Sequence, residues 1–186
     1  KMITVKINGE ERQYPQGATY EDVANDYQQE YENLIALAAR DGKIRELFKK
    51  LTRDCEVTFF TLKDDVGNKT YVRSATMLFL KAVFDVYGRE AAQSCRVEFA
   101  IGNGSYISPK EKINATEENA AKIRNQMREL VEAKTPFLKR SYSLDNAMEL
   151  FRKEGMKDKE KLFRYRRGSF VNIYEMDGYY DYYYGY

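Results

Sequence analysis

The chain has 186 residues, 43% of them apolar and 32% charged, and a formal net charge of +2. That balance is that of an ordinary soluble globular protein with room for one large or two small domains, and no apolar cluster, Met77 to Leu80 included, is long enough to cross a bilayer. Histidine is absent, which removes the Ser-His-Asp and Cys-His constellations and nearly all zinc sites, so any catalysis would run on carboxylates, Lys or Tyr.

The amino terminus has no apolar signal segment and runs directly into alternating sequence, which predicts a cytoplasmic protein. Ile3, Val5 and Ile7 alternate with polar residues, Asn8-Gly9 is a tight-turn dipeptide, and Glu10 to Tyr14 return as a partner strand. After Pro15 and Gly17, Thr19 caps a helix with Asp22 three residues on, apolar at Val23, Ala24 and Tyr27 and ending near Tyr31. Leu34 to Ala38 is a short strand and Asp41-Gly42 a turn. Cys55, Val57 and Phe59 alternate in a closing strand to Thr61. Each cysteine sits alone in a strand-like context, which suits buried thiols better than a disulfide. The order predicts an α+β fold opening with a small mixed sheet wrapped on one helix, the β-grasp arrangement.

The opening hairpin, Pro15-x-Gly17-x-Thr19 and Asp41-Gly42-Lys43 resemble a TGS domain, the ubiquitin-like module found at the start of threonyl-tRNA synthetases and in several nucleotide-handling proteins. The resemblance implies a binding module over residues 1–62. Residues 63–70 are polar and turn-rich and read as a linker. The carboxylates Asp64-Asp65 lack the further ligands a metal requires and read as solvated loop.

Thr70 to Gly88 reads as a helix. Ala75, Leu78, Phe79, Ala82, Val83 and Val86 share one wide face, while Arg73, Met77, Lys81 and Asp85 step four apart along a narrow polar stripe with a surface Lys81 to Asp85 pair. Cys95 to Ile101 alternate as a strand, and Gly102-Asn103-Gly104 interrupt it as a turn before Tyr106-Ile107. Thr116 caps a long helix with Ala120, Ile123, Met127, Leu130 and Val131 as its buried stripe, ended by Pro136; a cap is also the simpler use of the sequon Asn114-Ala115-Thr116. Phe137 to Tyr142 form a strand, Ser143 caps a helix stopped at Gly155, and Leu162-Phe163 lie in a short second helix. Phe170 to Met176 and the Asp177-Gly178 turn lead into a tyrosine run, read as an edge strand or a stacking platform, with strand packing the simpler role.

Most of residues 71–186 resembles the editing domain of threonyl-tRNA synthetases. Ser74 to Val83, Phe99-Ala100-Ile101-Gly102 with Asn103-Gly104-x-Tyr106, Thr135-Pro136-Phe137, Ala147-x-x-Leu150-Phe151-x-x-x-Gly155 and Asp181-x-x-x-Gly185 carry the resemblance in order. Arg73 and Met77 stand where that family has two helical histidines, and Tyr183 where it has a cysteine. A guanidinium cannot ligate and a thioether is a poor ligand for hard ions, so the emptied site is expected to hold no metal and no catalytic residue.

The whole chain is also similar to the amino-terminal region of uridine kinase-like nucleoside kinases, through Met2 to Gly9, Val131-Glu132-Ala133-Lys134, Asp158 to Phe163 with Tyr165-Arg166-Arg167, and Asp181 to Tyr186. That resemblance implies a non-catalytic accessory region, ligand-binding or regulatory, whose partner is a downstream kinase domain outside this chain. No cofactor is expected here, because no G-x-x-x-x-G-K-[ST] phosphate loop occurs in the sequence and ATP and Mg would serve only that kinase domain. The alternative is a tRNA-binding or aminoacyl-tRNA editing-type domain related to threonyl-tRNA synthetase, with no membrane partner on either reading.

Residues 134–167 carry eleven Lys and Arg against five Asp and Glu, which suits nucleic acid or phosphorylated ligands about as well as a solvated helix surface. For a nucleotide or tRNA, the expected cleft is edged by Arg73, Met77, Lys81 and the tyrosine tail with Tyr182 and Tyr184. Arg140, Arg164, Arg166 and Arg167 are the expected phosphate partners, and Arg164-Tyr165-Arg166-Arg167 interleaves cations with a ring, although a plain surface patch has the same composition.

Overall fold

The structure, a computed structural model, describes residues 1–101, 104–109 and 113–183. The described residues divide into two compact units, Lys1–Ser74 and those from Ala75 to Tyr183. Both mix sheet and helix, so the expected α+β class is what the chain adopts.

In the first unit β1 (Met2–Ile7) and β2 (Glu10–Pro15) form the hairpin, followed by α1 (Tyr20–Tyr27), β3 (Ile35–Arg40), β4 (Lys43–Glu46) and β5 (Cys55–Thr61). The sheet order is β2-β1-β5-β3-β4, with β1 and β5 parallel and the other pairs antiparallel. The turns work because Asn8-Gly9 and Asp41-Gly42 both take positive φ, 51° with 86° and 49° with 78°, the conformation that matches hairpin twist. Thr19 and Asp22 form a reciprocal capping box, satisfying two orphan donors of α1. Strand alternation sends Ile3, Val5 and Ile7 inward, onto Tyr20, Val23 and Tyr27 of the helix.

Helix α2 (Asp65–Tyr87) begins earlier than its sequence predicts. Residues 65–70 of the expected linker are helical because Asp64 acts as a start signal: its side chain accepts from Thr61 N at 2.8 Å and its carbonyl accepts from Asn68 N at 2.8 Å. Gly67 fits here because a Cβ would meet the Thr61 carbonyl oxygen at 2.1 Å. The stripe expected to be polar is corrected as well. Met77 and Lys81 are each only 2% exposed, whereas Val86, expected inside, is 36% exposed. Lys81 can be buried because its ammonium is met by Asp85 at 2.6 Å and by the Asp177 carbonyl at 2.8 Å, so the expected pair exists with its lysine inside the unit and Asp85 at the surface.

Past Gly88, at φ 90°, come α3 (Arg89–Ser94), β6 (Cys95–Ile101), β7 (Gly104–Pro109) and α4 (Glu117–Glu132), capped by Thr116. β6 and β7 pair as a hairpin whose turn, Gly102-Asn103, lies outside the described residues. Ile123 and Leu130 of α4 are buried; Ala120 and Val131, predicted to join them, face out. Then follow β8 (Leu138–Ser143), α5 (Leu144–Lys153), α6 (Lys157–Arg164), β9 (Phe170–Met176) and β10 (Tyr179–Asp181), with sheet order β10-β9-β8. Period-2 alternation makes this sheet two-sided. Val171 and Ile173 pack with Phe151 and Phe163 of α5 and α6, while Tyr174 and Met176 join the cluster of Met77, Leu80 and Val83 of α2.

Candidate functional site

Within the second unit the end of β10, the start of α6, the α3–β6 junction and α2 enclose a cavity of about 400 Å³. Its floor follows from one sequence fact. In Tyr179-Tyr180-Asp181-Tyr182-Tyr183 alternate residues share a face, so Tyr179, Asp181 and Tyr183 line the cavity while Tyr182 packs on the other side with Phe163. Asp181 is 4% exposed. Tyr179 and Tyr183 donate to its Oδ2 at 3.0 and 3.2 Å, and Tyr182 N donates to Oδ1 at 2.7 Å. Lys159, at the start of α6, reaches Oδ1 at 3.2 Å. Burial, then the Asp181 charge, pushes both phenols far above the ordinary tyrosine range, so they stay protonated donors. Cys95, also on the wall, is pushed up by burial and remains a thiol.

This arrangement recognises better than it reacts. A carboxylate offers about four lone-pair positions, and those of Asp181 face two phenols, a backbone N–H and an ammonium. Three hydrogen bonds and a paired ammonium leave it a poor acceptor of a proton from water, and neither a thiolate nor an imidazole stands beside it. Among the described residues no cluster of Cys, Asp and Glu could hold a metal ion.

Of the residues expected at the site, the structure brings Tyr183 to the cavity. Met77 lies in the core, at 2% exposure, because an unbranched thioether fills an apolar gap there. Lys81 is not a wall cation: its ammonium ties α2 to the β9–β10 turn. Arg73 is half-buried in the part of α2 that belongs to the first unit. Arg140 is exposed on β8 opposite Ile173, and Arg167 is exposed beyond α6. Arg164 binds Glu160 at 3.1 Å, sharing it with Arg152 at 3.0 Å, and the two guanidiniums hold that carboxyl below its ordinary range. Arg166 donates to the Tyr182 hydroxyl and lies over its ring, so Arg164, Arg166 and the buried Tyr182 brace α6 internally. Tyr184 lies outside the described residues.

Asp181 and Lys159 are cavity residues that the sequence motifs contain but that sequence reasoning did not place at a site. The alternation within the tyrosine run was the available signal for Asp181; nothing local marks Lys159, which is brought in by the α5–α6 turn.

No family model matches the chain. Among curated proteins it is similar to the threonine–tRNA ligase of Thermotoga maritima, 28% identical over 92% of this chain and 28% of the ligase. It is similar also to that of Carboxydothermus hydrogenoformans, 25% identical over 92% of this chain and 28% of the ligase, and to that of Rhizobium etli, 26% identical over 94% and 26%. The chain thus spans little more than a quarter of the length of these relatives, all of them threonine–tRNA ligases, the enzymes also called threonyl-tRNA synthetases.

Proposed function

We propose that the chain is a tRNA-binding, editing-type region of a larger protein related to threonine–tRNA ligases, and that its cavity holds a ligand without hydrolysing it. The observation that carries the reading is Asp181, a buried carboxylate already bonded to two phenols and a backbone N–H and paired with Lys159, at the floor of a cavity in a chain without histidine. The similarity to threonine–tRNA ligases supports tRNA as the partner. The proposal takes residues 1–62 as a TGS-type module and 71–186 as an editing-like domain, in a cytoplasmic protein. No described helix is long and apolar enough to cross a membrane.

Mischarged aminoacyl-tRNA tests this directly. The expected result is saturable binding, weakened by Asp181→Asn, with amino-acid release no faster than in buffer. Release abolished by Tyr183→Phe would replace the proposal with a histidine-free deacylase, and no binding to any tRNA would sink it.

A narrower reading makes the chain the accessory region of a uridine kinase-like nucleoside kinase. Its support is the set of sequence motifs given above, whereas the similarity to ligases supports the tRNA-handling alternative. A phosphate-loop sequence further along the same gene would restore the kinase reading.

A further inference from the structure

The first unit separates its charge sharply. Residues 40–53 carry six cations (Arg40, Lys43, Arg45, Lys49, Lys50 and Arg53) against two acids, while the rest of residues 1–74 carry six cations against eleven acids. β4 is an edge strand, and its register sets Lys43 opposite Arg40 and Arg45 opposite Ala38, so the three cationic side chains lie on one face of the β3–β4 hairpin. Lys43, Lys49 and Lys50 are exposed and form no ion pair among the described residues. Arg53 alone of the six has a carboxylate partner there, Asp41 at 3.0 Å. Phe48 is 45% exposed with the Lys49 ammonium 5.1 Å from its ring centroid. Beneath this face lies the Tyr20 hydroxyl, in a residue 1% exposed, with the Arg40 guanidinium beside it. Arg40 and Arg45 are the cations acting on it, opposing the rise that burial causes.

We infer that the β3–β4 hairpin and the segment through Arg53 form a docking face for an RNA backbone, with Lys43, Lys49 and Lys50 on phosphates and Phe48 against a base. This rests on the reading that RNA is the partner. Charge complementarity selects the occupant: unpaired cations beside an exposed ring fit a chain that alternates phosphates with flat bases, whereas an acidic protein surface has no use for the ring. In the basic stretch at 134–167, by comparison, Arg152, Lys159 and Arg164 are engaged with Glu160 and Asp181 of their own unit.

The test is fluorescence anisotropy of the whole 186-residue chain with a labelled tRNA and with a short RNA of unrelated sequence, each at two salt concentrations. The combined variant K43Q/K49Q/K50Q is expected to lose about tenfold or more in affinity for both RNAs and to flatten the salt slope by about 2 to 3. Phe48→Ala is expected to weaken the unrelated RNA several-fold without changing the slope. Lys6→Gln, an exposed cation on β1, should alter neither, and circular dichroism checks that each variant is folded. If tRNA binds and the triple variant binds it equally well with the same slope, the docking face is wrong and the tRNA reading stands. If unrelated RNA binds through these lysines with no preference for tRNA, the face stands and the tRNA reading falls. No binding of either RNA overturns both. A polyglutamate peptide bound as tightly as RNA, with the same loss in the triple variant, reassigns the face to acidic proteins and overturns the inference.

Discussion

The ammonium of Lys81 donates to the main-chain oxygen of Asp177, 96 residues further along, at 2.8 Å. The same nitrogen meets Asp85 Oδ1 at 2.6 Å, and Gln126 of α4 donates to the other oxygen of Asp85 at 2.9 Å. One buried cation therefore joins α2, α4 and the β9–β10 turn that aims Tyr179, Asp181 and Tyr183 into the cavity.

Lys81→Met should accordingly destabilise the chain by about 1 to 2 kcal/mol, since it leaves the Asp177 carbonyl and one oxygen of the partly exposed Asp85 without their donor. The added change Asp85→Leu should recover much of that loss. Urea unfolding of the single and double variants checks both, and a double variant no more stable than the single one would contradict the account.

Tyr183→Phe deletes one donor to Asp181 and keeps the ring, so it should cost about 1 kcal/mol. Asp181→Asn should cost about 2 to 3 kcal/mol, because its amide turns a donor toward groups that already donate. Thermal unfolding of the two variants gives the order; equal effects would mean that the carboxylate is not the centre of the cluster.

Glu160 sets a pH dependence. Arg152 and Arg164 lower its carboxyl pKa in the folded chain from the ordinary 4.5, so its stabilising contribution is complete above that value. As pH falls through the lowered folded value the carboxylate is protonated and the contribution disappears. The melting temperature of the native chain should therefore fall further between neutral pH and pH about 3 than that of Glu160→Gln. Equal falls would remove Glu160 from the acid response.

Met77→His tests whether the emptied helical position can be refilled. The side chain is 2% exposed among Leu80, Val83 and Met176, so an imidazole there should cost about 2 kcal/mol for lack of a partner. Calorimetry with zinc should show no tight site in the variant. Restored stability on adding zinc would instead mean that the position opens to a ligand.

Much of this fold is legible in the sequence because its signals are local. Asn8-Gly9, Asp41-Gly42 and Asp177-Gly178 each dictate a turn through positive φ at both positions, and Thr19, Thr116 and Ser143 cap the helices that follow them. β4 escaped notice because Lys43-Ile44-Arg45-Glu46 has one apolar residue; an edge strand buries too little to show a pattern. α3 has only six residues behind Gly88, too few for a helical period. The polar stripe of α2 was misread for a different reason. A helical wheel shows Lys81 and Asp85 as neighbours but cannot show the Asp177 carbonyl that lets the lysine be buried. The site was partly legible on the same terms: Tyr183 is marked by its own run of sequence, whereas Lys159 reaches Asp181 only through the fold.

The two phenols bonded to Asp181 at the cavity floor also give the chain an optical reporter of its own. With sixteen tyrosines and no tryptophan, its near-ultraviolet spectrum is dominated by phenols, and an exposed phenol ionises near pH about 10 with a shift to longer wavelength. Tyr179 and Tyr183, held protonated by burial and by Asp181, stay silent in that step until β10 comes away. An alkaline titration therefore separates the colour change of the exposed rings from that of the held ones, Tyr14 and Tyr20 of the first unit among them, and a ligand in the cavity delays only the share of the later step that belongs to Tyr179 and Tyr183.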